Sequence, residues 1–256
     1  MVMLENFRLL KSHAIKVIIA WTLIGISTHA FCQVSNDENL SSAALSKAFY
    51  EYDNYFGKNL SLYTGKQYND NYGQVGDHQF FMDDYWEQGS VVFEGQFYDS
   101  IYLKFDIFKD ELLVEYFSDK GLAMTLKLQS TMINSFQLQG HTFIRLQVDS
   151  AATMKTGFYD QLFVGANLSL YARRQKEIVR TSGSNTLRDD FVQKDKYFLL
   201  KADTYYPVKN RGSVVRVLED HKKEVKHFIK SNNLRFQTER DRDITIVARY
   251  YQSLFQ

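Results

Sequence analysis

Apolar and polar residues alternate over a long central part of the chain, and this period of two constrains the fold more than any other feature. Successive side chains of a β-strand point to opposite faces, so alternate residues share a face. In the segment IYLKFDIF the shared apolar face holds Ile101, Leu103, Phe105 and Ile107. Comparable segments, separated by short turn-forming sequences, are Ser90–Phe97, Leu112–Phe117, Ala123–Gln129, Ser135–Leu138, Thr142–Val148, Gly157–Val164, Ser169–Lys176, Tyr197–Lys201 and Tyr205–Lys209.

This series of short strands predicts a mainly β fold of the α+β class, in which an antiparallel meander bends into a sandwich or an open barrel. Glu94-Gly95 and Lys109-Asp110-Glu111 have the composition of tight turns between neighbouring strands. The polar segment Arg180–Asp190 (RTSGSNTLRDD) interrupts the series and is predicted to be an internal loop.

The period changes to that of an amphipathic helix near the end of the chain. Ser213 is predicted to cap a first helix at about residues 213–231. Thr238 begins a second helix at about 239–255, with Asp241 in an approximate capping box. Because a helix with one apolar face is rarely stable alone in water, we expect this C-terminal pair to pack on the sheet or on each other. The apolar stripes hold Val214, Leu218, Val225, Phe228 and Ile229, and then Ile244, Val247, Ala248, Tyr251, Leu254 and Phe255.

The first 32 residues have the order of an export signal: a basic start, an apolar run and small residues at a cleavage site. The uncharged run Val17–Thr28 is shorter than the roughly 20 residues that a membrane-spanning helix needs. Ala30 and Cys32 are small residues of the kind that signal peptidase prefers before a cut at Gln33. A second interpretation makes Cys32 the lipid-bearing first residue of a lipoprotein, although Phe31 is bulky for the position before it.

We therefore predict a signal peptide at 1–32, a disordered leader at 33–44 and a single β-rich domain at 45–256, with no transmembrane span in the mature chain. Within this domain, the spacing of apolar residues in Leu45–Phe56 fits either a short helix or an irregular arm over the sheet. The one cysteine of the chain is Cys32, so the mature domain has neither disulfides nor thiol catalysis if the signal is removed.

The charge balance excludes one large class of partners. The full chain has 31 basic and 30 acidic side chains, and the part after residue 32 has 28 and 29. A near-neutral balance gives no electrostatic footprint for nucleic acid, so nucleic acid is not expected as a partner. It does not suggest a polyanion or an anionic membrane surface either.

The sequence lacks the motifs of common catalytic and metal sites. It contains no Gly-x-Ser-x-Gly elbow and no helical pair of histidines four residues apart, and Thr64-Gly65-Lys66 lacks the glycine spacing of a phosphate-binding loop. Glu224 and His227, with His221 nearby, could share a metal on the first predicted helix. The lysines among them indicate a solvated charged face instead. No metal site and no cofactor are predicted.

Aromatic residues are the compositional excess, with 17 Tyr, 20 Phe and 2 Trp, and many precede the predicted strands. Such rings could line a cleft for a glycan or a lipid, or they could pack across strands. Paired acids beside a ring also suit glycoside hydrolysis. His78 and Asp106 could form an orienting pair if the fold brings them together. The candidate ligand-binding residues are Tyr63, Tyr68, Tyr85 and Trp86, with the acids Asp84 and Glu87.

Four stretches of the sequence resemble a widespread family of uncharacterised exported proteins of Gram-negative bacteria. These stretches are LYTGKQY, GSVVFEGQFYDSIYLKFDIFKDELLVEY, TGFYDQLFVG and HKKEVKHFIKSNNLRF, and the similarity spans most of the mature chain. They are strand and helix patterns rather than catalytic signatures, and the family has no assigned activity. The resemblance therefore implies a cell-envelope setting and carries over no functional residue.

Together these observations predict an exported protein of the periplasm or the outer membrane, or a secreted one. The expected role is a non-enzymatic binding or structural component of the cell envelope, with an envelope protein or a small apolar or glycan ligand as partner. Two alternatives stay open. A carrier would show an aromatic-lined cavity without convergent acids, whereas a hydrolase of envelope sugars or lipids would bring acids or a histidine together in one concave site.

Overall fold

The computed structural model describes residues 62–255, apart from 71, 73–74, 118–120, 149–153 and 183–186. The predicted signal peptide, the leader and the segment Leu45–Phe56 lie outside the described residues. Within the described part, the chain begins with a short 3-10 helix at Leu62–Thr64 and then enters a long series of strands.

The alternating segments form strands, and eleven of the thirteen described strands join in one open antiparallel sheet. The order across the sheet is β1-β5-β4-β3-β2-β6-β7-β8-β9-β12-β13, so two meanders meet where β2 pairs with β6. The prediction of a mainly β, antiparallel fold is confirmed. The strands are β1 Lys66–Gln67, β2 Glu87–Phe93, β3 Gln96–Asp106, β4 Glu111–Phe117, β5 Ala123–Lys127, β6 Ile133–Leu138, β7 His141–Leu146, β8 Gly157–Val164, β9 Ser169–Arg173, β10 Lys176–Ser182, β11 Leu187–Gln193, β12 Lys196–Lys201 and β13 Thr204–Val208.

The prediction of a loop at Arg180–Asp190 is wrong, because most of this segment is paired. β10 and β11 form a separate two-stranded ribbon in which Arg180 lies opposite Asp189. The Arg180 Nε and a carboxylate oxygen of Asp189 are 2.9 Å apart. The alternation that reveals a half-buried strand is absent from this polar part of the ribbon, so the sequence pattern resembles that of a loop.

Three local features shape the sheet: a turn, a glycine in β2 and a proline at one edge. Glu94 and Gly95 both have positive φ, as the predicted tight turn between β2 and β3 requires. In β2, a Cβ at Gly89 would lie 2.3 Å from the carbonyl oxygen of Gln137, so only glycine allows this approach of β2 to β6. At the β13 edge, Pro207 removes one amide donor, which hinders the addition of a further strand.

Three α-helices follow the sheet: α1 Arg211–Val217, α2 Lys222–Ser231 and α3 Arg240–Ser253. Ser213, the predicted cap, is instead inside α1. Asn210 is the cap, and its side chain accepts a hydrogen bond of 3.1 Å from the Ser213 amide. The predicted first helix is interrupted by a 3-10 turn at Glu219–His221, so His221 and His227 do not share a regular helix. None of the described helices is long and apolar enough to cross a membrane.

Two large apolar cores hold the fold together. In the first, the rings of Phe105, Phe136, Phe143 and Phe158 pack on one another in the first part of the sheet. The second lies where the helices cover strands of the second part, and α3 contacts β8 and β9. This arrangement confirms that the helical C-terminus packs on the sheet.

Candidate functional site

A buried polar cluster lies where the two cores meet. Arg174 follows β9, and its side chain is only 4% exposed. It continues the alternation of β9, in which Leu170 and Ala172 are both buried in the second core. We call the polar residues around it the Arg174 cluster: His141, Asp160, Arg174, Asp195, Tyr197 and Asp241.

Three carboxylates from three parts of the fold surround the guanidinium of Arg174. Its Nε and Nη2 donate to one oxygen of Asp160 on β8, at 2.9 and 2.6 Å. Its Nη1 donates to Asp195, between β11 and β12, at 2.7 Å, and its Nη2 to Asp241 on α3 at 2.6 Å. Arg174 therefore ties the sheet, the β11–β12 turn and the helix together.

His141 and Tyr197 complete the Arg174 cluster. The Nδ1 of His141, at the start of β7, lies 2.7 Å from the same oxygen of Asp160 that Arg174 contacts. The ring of His141 packs edge-on against Phe81 of the first core, with 5.1 Å between centroids. On the other side, the Tyr197 hydroxyl donates to Asp241.

The electrostatics of the cluster follow from these contacts. Burial alone would lower the pKa of Arg174, but its bond to Asp241 and the charges of Asp160 and Asp195 raise it above its ordinary value. Burial alone would raise the pKa of Asp241, and Arg174 instead holds it below its ordinary value. Burial and the bond to Asp241 raise the pKa of Tyr197. Each charged group is paired within the cluster, so its chief effect is to fix the positions of its members.

A groove of about 400 Å³ runs past His141 at one end of the cluster. We call it the polar groove. Cross-strand pairing places Ser90, Gln137 and Thr142 side by side on β2, β6 and β7. The lining is mostly polar and contains no lysine or arginine; it consists of Gln88, Gly89, Ser90, Asp99, Ser100, Gln137, Leu138, Gln139, Gly140, His141 and Thr142.

Gln139 gives the polar groove an unusual feature. Its Nε2 donates to Asp83 at 3.0 Å, which fixes the orientation of the amide. Its Oε1 is buried and accepts no hydrogen bond from a described residue. A buried carbonyl oxygen without a donor is unfavourable, so this side chain is held at an energetic cost beside the groove.

A second cavity, of about 760 Å³, opens near the other end of the cluster, and we call it the cationic groove. Tyr197, Phe198, Pro207 and Val208 contribute apolar surface. Its remaining lining residues are polar or charged: Gln175, Glu177, Gln193, Lys194, Asp195, Lys196, Lys209 and Arg240.

The structure places the aromatic candidates in separate local environments. Tyr63 packs on Tyr116, with ring centroids 5.1 Å apart. Tyr68, just after β1, donates from its hydroxyl to Asp106 at 2.6 Å. Tyr85 is 74% exposed.

One of the two acidic candidates, Asp84, contacts a lysine of β3. Asp84 forms an ion pair of 2.7 Å with Lys104. The same Lys104 ammonium lies 4.9 Å from the centroid of the Trp86 ring. The structure thus brings Asp84 and Trp86 together around one cation, while Glu87 begins β2 as an exposed residue.

The pair suggested for His78 and Asp106 is replaced by another. Asp106 is fully buried and accepts hydrogen bonds from the Tyr68 hydroxyl and from the amides of Phe108 and Lys109. Burial raises the pKa of Asp106 despite these bonds. It also raises the pKa of Tyr68, together with the bond to Asp106. The Nδ1 of His78 instead accepts from the Phe80 amide, at 3.2 Å.

The sequence patterns predict neither the Arg174 cluster nor the two grooves. One signal was available: within the predicted strand Ser169–Lys176, alternation puts Arg174 on the same face as Leu170 and Ala172. A cation on an apolar face needs a buried partner, but the sequence does not tell which carboxylates supply it.

No protein-family model, curated protein or solved structure matches the chain.

Proposed function

We propose that the protein is an exported, non-enzymatic binding component of the bacterial cell envelope, which holds an uncharged part of a glycan in the polar groove. Export is supported by the order of basic, apolar and small residues in the first 32 positions. The family resemblance supports an envelope setting. The choice of ligand depends on the groove itself.

The chemistry of the polar groove fits sugar hydroxyls, which both donate and accept hydrogen bonds. Three glutamine amides, two serines and a threonine line it, and each of these groups can do the same. The observation that carries the proposal is the gathering of these uncharged hydroxyl and amide groups in one concave surface. The absence of lysine and arginine from the lining favours an uncharged sugar over an anion.

The register of the strands adds a second argument. Ser90, Gln137 and Thr142 lie in one row across three neighbouring strands. Strands in a sheet are about 4.8 Å apart, which is comparable to the length of one pyranose unit. An oligosaccharide crossing the strands would therefore meet successive polar side chains along its length.

One observation favours the alternative of a hydrolase. His141 lines the same groove, and Asp160 holds its Nδ1 at 2.7 Å, which is the way a general base is often oriented. Asp99 is the one carboxylate among the lining residues, whereas glycoside hydrolysis by the usual route needs two. Binding without turnover is the better-supported function.

Calorimetric titration with soluble oligosaccharides from peptidoglycan and from lipopolysaccharide core tests this proposal. We expect at least one of them to bind the mature protein, and Gln137→Ala to weaken binding roughly three- to tenfold, since one hydrogen bond contributes about 0.5–1.5 kcal/mol. Gln96→Ala, an exposed glutamine on β3 outside the groove lining, is the matched control and should leave affinity unchanged.

Equal effects of the two variants, or no binding of any oligosaccharide, would overturn the glycan site. Release of shorter sugars by the wild type, and its loss in His141→Gln, would establish the hydrolase instead.

Export is tested by the mass of the mature protein from native cells. We expect an amino terminus at Gln33 in an envelope or extracellular fraction. A mass that retains Met1–Cys32, found with cytosolic enzymes, would contradict export.

A further inference from the structure

The cationic groove collects positive charge in a chain whose overall charge is near zero. Lys194 and Lys196 flank the start of β12, Lys209 follows β13, and Arg240 begins α3. All four line the same cavity of about 760 Å³. None of them forms an ion pair with a carboxylate of the described residues.

Two carboxylates, Asp195 and Glu177, are also in the lining, and Asp195 is already paired with a cation outside the groove. Asp195 accepts from Arg174 at 2.7 Å and from the Gln193 side chain at 2.9 Å on one oxygen, and from the Gln175 amide at 3.3 Å on the other. Its charge is therefore committed to the Arg174 cluster. Glu177 is exposed and accepts from the Gln175 side chain.

The strand register brings like charges close together at this end of the sheet. Tyr197 on β12 is the partner of Val208, the last residue of β13, so Lys196 and Lys209 each lie one residue from this pair. Lys196 is also the partner of Arg173 on β9, but the guanidinium of Arg173 is already paired with Asp110 at 3.1 Å. Unpaired cations that lie close together repel each other, and a bound anion would remove that cost.

Part of the surface between these cations is apolar. Pro207 is exposed there, and the almost fully buried side chains of Phe198 and Val208 line the cavity beside it. An apolar surface with positive charges at its margin is complementary to an amphiphile whose headgroup is anionic.

We propose that the cationic groove binds an anionic amphiphile, with its phosphate or carboxylate on Lys194, Lys196, Lys209 and Arg240 and the adjoining part of its apolar chain over Phe198 and Pro207. This site is separate from the polar groove, and the two proposals stand or fall independently. A protein with both sites would recognise two parts of an envelope glycolipid or two different envelope molecules.

Titration of the mature protein with n-dodecyl phosphate, below the concentration at which it forms micelles, tests the proposal. Inorganic phosphate and the uncharged n-dodecyl glucoside are the comparison ligands. We expect dodecyl phosphate to bind more tightly than either, and its affinity to fall as salt is added, because exposed charges are screened.

The triple variant Lys194→Glu/Lys196→Glu/Lys209→Glu is expected to weaken dodecyl phosphate binding roughly tenfold or more, since three charge contacts add up. The matched control is Lys222→Glu/Lys223→Glu/Lys226→Glu, which makes the same charge change on exposed positions of α2. It should change affinity less than twofold, and circular dichroism should show both variants folded.

Three results would overturn the proposal. Equal binding of dodecyl glucoside would show that charge is not recognised, and equal binding of inorganic phosphate would show that the apolar surface is not used. Equal loss of affinity in the two triple variants would show that only net charge matters. None of these results affects oligosaccharide binding in the polar groove, which is measured separately.

Discussion

The Arg174 cluster and the Asp106 site each bury a carboxylate, but they stabilise it in different ways. Asp160 is 1% exposed and faces a guanidinium and an imidazole. Asp106 is 0% exposed, and the hydrogen bonds it accepts come from neutral groups, namely the Tyr68 hydroxyl and two backbone amides. A buried carboxylate can therefore be stabilised by opposite charges at one site and by the dipoles of neutral donors at another.

The difference appears in the direction of the pKa shifts. Within the cluster, Arg174 holds the pKa of Asp241 below its ordinary value of 3.8, although burial opposes this. At the other site, burial raises the pKa of Asp106 above 3.8, and its hydrogen bonds only reduce the rise. At Asp241 the counter-ion reverses the effect of burial on the pKa, whereas at Asp106 the hydrogen bonds do not.

The largest expected effect is that of Arg174→Met. Removing the guanidinium leaves the buried Asp160, the largely buried Asp195 and the partly exposed Asp241 without their counter-ion. Breaking a buried ion pair costs about 3–5 kcal/mol. Urea denaturation should show a loss of unfolding free energy of this order. Arg180→Met removes an exposed arginine from the ribbon pair with Asp189 and should have little effect. If Arg174→Met lost little unfolding free energy, the Arg174 cluster would not be what stabilises the contact between the two cores.

Asp106→Asn should change how the unfolding free energy depends on pH. Because the folded-state pKa of Asp106 is raised, its contribution to stability is greatest below the unfolded pKa and falls as pH rises through the folded pKa. Asparagine does not titrate, so the variant should lose less stability than the wild type as pH increases from about 3 towards neutrality. Unfolding free energies measured at several pH values test this, and parallel curves would contradict the raised pKa.

Asp241→Asn should act in the opposite direction and more weakly, since the Asp241 side chain is 39% exposed. A lowered folded-state pKa gives stability that is present above the unfolded pKa and is lost as pH falls through the folded pKa. The variant should therefore be less stable than the wild type at neutral pH, and the difference should shrink in acid. A difference that grows in acid would show that Arg174 does not hold the Asp241 carboxylate in its charged form.

The sequence predicted the features that depend on local periodicity. Leu103 and Phe105 alternate with polar neighbours, and β3 lies where that alternation places it. The β10–β11 ribbon was missed because its polar residues show no buried face. The cap of α1 was misplaced because Asn and Ser are both common capping residues. In the structure Asn210 is the cap, and it exchanges hydrogen bonds with Ser213.

The two polar sites could not be predicted from local sequence patterns, because the residues that form each site are far apart in the chain. Tyr68 and Asp106 are separated by 38 residues, and Arg174 and Asp241 by 67. Pairing of β8 with β9 places Ala172 opposite Asp160, so Arg174 reaches Asp160 only through that register. Both grooves likewise depend on strand order across the sheet, which the alternation of a single strand does not determine.

The most direct test of the central claim is an NMR titration of the isotope-labelled mature protein with the oligosaccharide that binds most tightly. We expect the backbone amide signals of Ser90 and Thr142 and the side-chain amide signals of Gln137 and Gln139 to shift together, while the signals around Lys196 and Lys209 stay in place. Shifts centred instead on Tyr63, Tyr68 and Trp86, with the polar groove unaffected, would contradict it.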